Sequence, residues 1–243
     1  MVVAKGFSRV GRERRLGLRK LHGMKLYFRK ASVDECVLTT EYQKARFFAD
    51  NYNPTEADII LDVGAHIGAF TILAAQKAPK GTVHAIEPSS ENFKILSLNV
   101  STNRLPNVRT HRIVLSDTVG ELRLYSGGDN WDHSLCTQSS QEALPEWELV
   151  PSQTLECFMA ANGISRADYL KMNVEGAEYD VLLKSPRKVV ESVACMLIEF
   201  HPAEDHEGKE IFERLRMYGF TADIVESESE SGKGWITGRR TAA

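Results

Sequence analysis

Nowhere in the 243 residues does an apolar run approach the roughly 20 residues needed to cross a bilayer as a helix. No apolar signal core follows the first residues. Cysteine is scarce: Cys36, Cys136, Cys157 and Cys195 lie far apart, without the close spacing of a metal site. The expectation is a reducing, cytoplasmic setting, with Cys195 a buried thiol inside an apolar run. No internal repeat is evident. What remains is ordinary for a globular chain, 42% hydrophobic and 26% charged, and its length suits one α/β domain.

The net charge of −3 conceals an asymmetry, because basic residues crowd the first thirty positions against Glu13 alone. Such a block suits contact with nucleic acid, anionic lipid or a phosphorylated substrate. It equally suits a solvated leader that packs Leu16, Leu18 and Leu21 onto the domain. The sequence divides at residue 40: a basic extension and edge hairpin over 1–40, then the main domain over 41–243.

The richest stretch runs from Asp58 to Pro88. Ile59, Ile60, Leu61 and Val63 read as a parallel strand buried on both faces. Gly64 and Gly68 free the backbone to turn and to bring its N–H groups close to a ligand. A helix-favouring run follows to Ala78, then a second β-branched strand over Thr82–Ile86 closed by Glu87 and Pro88. An acid at that place can accept hydrogen bonds from ribose hydroxyls, so a nucleoside is expected. A dinucleotide fingerprint would read G-x-G-x-x-G, with a second glycine to admit a pyrophosphate. Here the pattern is Asp62-x-Gly64-x-x-x-Gly68. A carboxylate at Asp62 would repel a pyrophosphate but suits the ammonium of an amino-acid moiety. S-adenosylmethionine carries both that ammonium and a ribose.

The stretches LDVGAHIG, AIEPSSENFKILSLN, VLSD after Ile113, DYLKMNVEGAEYDVL and LIEFH resemble, in this order, the FkbM-type S-adenosylmethionine-dependent methyltransferases. The resemblance runs from about Glu41 to Phe220. It implies a doubly wound, Rossmann-like class I methyltransferase sheet, mostly parallel, with a C-terminal antiparallel hairpin. It implies O-methylation of a small molecule, commonly a sugar hydroxyl or a secondary metabolite. Carried onto this chain, the cofactor side comprises Glu41, Asp62, Gly64, Ala65, His66, Gly68, Glu87, Pro88, Ser116, Asp117 and Asn173. Asp117, at the end of the third strand, would accept from the adenine amine, or else simply serves a turn before Gly120. Two departures stand out. His66 occupies a place where the family usually has Asn, and Asn173 replaces the usual Asp of its K-I-D-x-E-G segment.

Between Ser126 and Gln153 periodicity disappears, and so long a polar stretch reads as a substrate-side lid carrying Trp131, Asp132, His133 and Trp147. The strands Asp168–Val174 and Val193–Phe200 end in Asn173, Glu175, Glu199 and His201, which would face the same crevice as Asp62, Glu87 and Asp117. Transfer to an alcohol needs a general base, and His201, Glu175 and His133 are the candidates. Asn173, Glu175, Glu199 and His201 also offer oxygen and nitrogen ligands for a divalent ion, which is possible and not favoured. No Asp/Asn-Pro-Pro-aromatic motif that would stack a flipped adenine occurs, so nucleic-acid methylation is disfavoured. Two other readings stay open, a cofactor-binding module without transfer activity and a nicotinamide-dependent oxidoreductase.

Overall fold

The structure is a computed structural model that describes residues 15–38, 52–126, 133–134, 147–228 and 230–240. Glu41, Trp131 and Asp132 lie outside the described residues.

The described residues open with an antiparallel hairpin of β1 (Leu16–Leu21) and β2 (Met24–Arg29), within the extension where an edge hairpin is expected. His22 and Gly23 both take positive φ at its two-residue turn, the hand that matches strand twist. A helical turn α1 (Asp34–Cys36) follows. Then come β3 (Ile59–Val63), α2 (Ala69–Lys77), β4 (Thr82–Ile86), α3 (Ser90–Thr102) and β5 (Val108–His111). Ser89 caps α3 by accepting the Asn92 N–H, as its residue type anticipates.

A second sheet is formed by β6 (Val114–Leu115), β7 (Gly120–Ser126), β8 (His133–Ser134) and β9 (Trp147–Gln153), in the order β6-β9-β7-β8. Here the sequence reading needs correction. Trp147–Gln153, expected inside the lid, is a strand hydrogen-bonded along β7, and its side chains alternate between the surface and the interior. Helix α4 (Leu155–Ala161), β10 (Ala167–Met172), α5 (Glu178–Lys184), α6 (Arg187–Glu191) and β11 (Val193–Phe200) come next. Helix α7 (Gly208–Met217) and the strands β12 (Phe220–Glu226) and β13 (Gly234–Arg240) complete the fold.

The main sheet has the order β12-β13-β11-β10-β3-β4-β5. Every pairing is parallel except the two made by β13. Helices cover both faces, and the period of two along β3 sorts its residues between them. Leu61 and Val63 join one core with Phe158, Leu182, Ile198 and Leu215, under α4 to α7. Ile60 joins the other, with Ile72 of α2 and Leu26 and Phe28 of the hairpin. Helix α3 also holds the hairpin by polar bonds. Asn99 accepts the Tyr27 N–H at 2.6 Å and donates to the Tyr27 carbonyl at 3.0 Å. Asn103 does the same one residue pair away, at Lys25. These side chains satisfy backbone groups that an edge strand would otherwise leave to solvent.

Candidate functional site

Three parallel strands, β4, β3 and β10, end side by side, and a cleft opens at their carboxyl ends. Its wall includes the turn Val63–His66, the segment Ile86–Pro88, the apolar residues Ile113–Leu115, and Asn173–Glu175. The turn after β3 demands glycine. Gly64 has φ +77°, and a Cβ there would stand 1.7 Å from the Asn173 carbonyl oxygen. Gly68, at φ +87°, opens α2, where a Cβ would press on Leu96 at 2.6 Å. Between them His66 holds φ +53°, an uncommon left-handed conformation for a residue with a side chain.

Glu87 is buried at the end of β4 and lines the cleft. Its Oε2 accepts the His66 backbone N–H at 2.8 Å, and its Oε1 accepts the Ser89 N–H at 2.9 Å and an Asn92 amide proton at 3.3 Å. An ionised carboxylate has about four acceptor sites, so these three bonds leave capacity for a further donor.

Asp62 does not stand in the cleft wall. The pleat turns it towards α2, where it is fully buried and accepts a hydrogen bond from the Thr71 hydroxyl. Burial drives its pKa up, opposed by the Lys171 charge and by Thr71. Lys171 was missed in the sequence. It lies opposite Asp62 on β10 and lines the cleft; its Nζ donates to the Gly64 carbonyl at 2.9 Å and sits 3.5 Å from Asp62 Oδ1. The cation thus ties the glycine turn to the strand beneath it, and the carboxylate balances that cation. Ser116 and Asp117 also stand off the wall. The Ser116 hydroxyl is 2.7 Å from that of Ser152, and Asp117 is exposed.

On the β10 side, Asn173 donates a side-chain proton to Glu199 and anchors its backbone N–H on the Val63 carbonyl at 3.0 Å. Glu175 follows in a left-handed conformation, φ +52°, and lines the cleft. His201 is buried behind it. Its Nε2 is 3.3 Å from Glu175 Oε2 and 4.0 Å from Glu199 Oε1, and its Nδ1 is 3.2 Å from Glu178 Oε1. Glu178 is the second residue missed in the sequence. It is fully buried, and accepts the backbone N–H of His201 at 2.7 Å and that of Gly176 at 2.9 Å. Burial lowers the His201 pKa, but the hydrogen bond to Glu178 and the charges of Glu175, Glu178 and Glu199 outweigh it, and the net direction is upward. Among the described residues, no group of three or more His, Cys, Asp or Glu side chains is placed to hold a metal ion. For His133 the structure gives the backbone, paired with Ser126 of β7.

Comparison with known proteins then gives the chain its relatives. The Methyltransferase FkbM domain matches residues 62–222, more than half of the chain. The chain belongs to the FkbM methyltransferase family. It is 37% identical over 214 residues to the 31-O-demethyl-FK506 methyltransferase FkbM of Streptomyces tacrolimicus, covering 76% of this chain and 82% of that protein. It is 26% identical over 230 residues to the AMB antimetabolite synthetase AmbE of Pseudomonas aeruginosa, a match that covers 76% of this chain but only 11% of that protein. Among solved structures, the methyltransferase FkbM from Methylobacillus flagellatus KT superposes with a TM-score of 0.53 at 13% identity, covering 81% of this chain and 47% of that one. The chain therefore spans about half or less of two of these three relatives. The fold, with its single antiparallel strand β13 inside a parallel sheet, is that of the class I methyltransferases.

The two elements of this FkbM-family site that sequence reasoning missed differ in their signal. Lys171 interrupts the apolar run Tyr169–Met172, which marks a buried charge in need of a partner. Glu178 reads as an ordinary acid in the first turn of a helix, and nothing in its spacing separates it from one.

Proposed function

We propose that this chain is an S-adenosylmethionine-dependent methyltransferase that methylates a hydroxyl of a small molecule, a sugar or a secondary metabolite. The observation that carries the reading is the placement of two strand-end carboxylates, Glu87 and Glu175, in one cleft on either side of the glycine turn. The residues present suit the cofactor. Gly64 has no room for a side chain, so a ligand meets backbone there, and Glu87 keeps an acceptor site for a ribose hydroxyl. Gly64, Ala65, His66, Glu87, Pro88 and Asn173 would hold it, with Ile113 and Leu115 as apolar wall. Asp62 acts through Lys171, and Gly68 sets the start of α2. Glu41 is assigned to the same pocket by the family resemblance, which also assigns Ser116 and Asp117, although both stand off the cleft wall. The O-linked chemistry in the name of the Streptomyces relative supports a hydroxyl acceptor.

When bound, the cofactor supplies an activated methyl group on a sulfonium. The protein's own task is to align the acceptor and take its hydroxyl proton. His201 is buried behind Glu175, and the carboxylates around it raise its pKa against the effect of burial. Glu175 faces the cleft and is the base; the His201 ring stands behind it, with Nε2 3.3 Å from its Oε2. His133 is a second candidate from the β7–β8 side. We place the protein in a reducing cytoplasm, where the exposed Cys36 and Cys157 stay as thiols.

Thermal-shift titration with S-adenosylhomocysteine, with NADH in parallel, tests the cofactor. A ligand that binds the native state alone adds about 2.7 kcal/mol at a hundredfold excess over its Kd. A rise with the homocysteine product alone supports the reading, and a rise with NADH alone overturns it. Glu175→Gln then tests the base: turnover should fall by about 10²–10⁴-fold while the affinity for S-adenosylhomocysteine stays within about threefold. Binding without turnover on any acceptor would mark a cofactor-binding module instead.

A further inference from the structure

Arg29 ends the hairpin strand β2, far in sequence from the glycine turn, yet it is buried and joined to that turn. Its guanidinium grips Asp34 through two hydrogen bonds, Nε to Oδ2 at 2.9 Å and Nη2 to Oδ1 at 2.8 Å. The same Nη2 donates to Asn92 Oδ1 at 2.7 Å, and Asn92 gives its amide proton to Glu87 Oε1 at 3.3 Å. Asp34 Oδ1 is also 3.2 Å from His66 Nε2, and the His66 backbone N–H donates to Glu87 Oε2 at 2.8 Å. The contacts close a ring: Glu87, Asn92, Arg29, Asp34, His66 and back to Glu87. Each oxygen of the Glu87 carboxylate is reached by one arm of it.

We propose that Arg29 is a positioning residue for Glu87, and that the hairpin is thereby a working part of the cofactor site rather than a leader attached to it. This rests on the reading of Glu87 as the ribose-binding carboxylate. The physical case is the fixed geometry of the guanidinium fork, which addresses Asp34 and Asn92 at once where an ammonium would meet them as a point charge. Asp34, held well below the usual carboxylate range despite its burial by hydrogen bonds from His66 and Arg29, anchors the fork. Asn92 then has its amide oriented: its oxygen takes Arg29, so its nitrogen must present protons to Glu87. The side chain at 66, where the family usually carries Asn, reaches the same carboxylate of Asp34 from the turn.

The experiment is a double-mutant cycle on the full chain, read by calorimetric titration with S-adenosylhomocysteine, with Arg29→Lys, Glu87→Ala and the pair together. Glu87→Ala should weaken binding by at least tenfold, and Arg29→Lys by about three- to tenfold. In the Glu87→Ala background Arg29→Lys should cost nothing further, because the carboxylate it positions is gone. An Arg29 that merely stabilises the hairpin would give the same loss in both backgrounds, and that result overturns the proposal, as does wild-type affinity in Arg29→Lys. If Arg29→Lys does not fold, Asn92→Ala, which cuts the arm between Arg29 and Glu87, carries the same test. Failure of the underlying reading looks different: the wild-type chain does not bind, or Glu87→Ala binds as well as wild type.

Discussion

Two buried imidazoles, one within β4 and one just past the end of β11, are driven in opposite directions. His84 of β4 lies against His111 of β5, Nδ1 to Nε2 at 3.1 Å, with the rings stacked at 5.3 Å and the edge of Phe158 beside them. Burial pushes His84 down to about 4, helped by the charges of His111 and Arg109. His201 is comparably buried, but three glutamates surround it and the net direction of its pKa is upward. Burial by itself favours the neutral ring in both; the sign of the neighbouring charge decides which side wins. The His84–His111 pair is packed into the sheet away from the cleft, and His201 stands directly behind Glu175.

The largest break in this comparison is Glu178→Ala. It removes the acceptor for the His201 and Gly176 N–H groups and leaves the buried His201 ring short of its carboxylate partner. Loss of one partner of a buried charged pair costs about 3–5 kcal/mol. Urea unfolding should show that loss, and the His201 ring should titrate lower by NMR, towards the behaviour of His84. Stability unchanged within about 0.5 kcal/mol would remove Glu178 from the role given to it here.

The second test uses pH on the wild-type chain. His84 has a folded pKa of about 4, below its unfolded value, so its neutral form stabilises the fold fully above pH 6.5. That contribution is lost as pH falls from 6.5 towards 4, on the order of 3 kcal/mol in all. His201 has a raised folded pKa, so its contribution is complete below pH 6.5 and fades as pH rises through that higher value. Unfolding free energies across pH 4–9 should therefore show two limbs, with His84→Leu flattening the acid limb and His201→Gln the alkaline one. If both variants altered the same limb, the opposed assignment of the two rings would be wrong.

The same contrast explains what could be read from the sequence. The glycine turn, Glu87, and the strand ends at Asn173 and Glu175 are consecutive or motif-borne, and strand parity alone carries them to the cleft. Asp62 was read as a ligand contact because it sits in the motif, but parity places it with Ile60 on the α2 side, opposite Lys171. The partners of His201 were only half legible, since Glu199 lies two residues before it near the end of β11 while Glu178 reaches it from another element, 23 residues earlier. Arg29 vanished into a basic block, because its value lies in long-range partners that spacing does not encode. Trp147–Gln153 escaped notice as a strand because Pro151 interrupts it, although proline is tolerated where a strand has no ladder bond to donate.

The smallest effect sharpens the comparison from outside the core. His206 stands only a few residues beyond His201 and also faces a glutamate, Nδ1 to Glu210 Oε2 at 3.1 Å, but both side chains are solvent-accessible. Its ring stacks on Tyr179 at 5.2 Å, whose hydroxyl in turn donates to the His201 carbonyl at 2.9 Å. In water-facing surroundings a histidine–carboxylate pair gains little, because solvent screens the attraction that burial would concentrate. His206→Ala should cost under about 1 kcal/mol, and leave both pH limbs in place. A loss as large as that of Glu178→Ala would mean that the Tyr179 stack, rather than the ring of glutamates, is what holds the His201 region together.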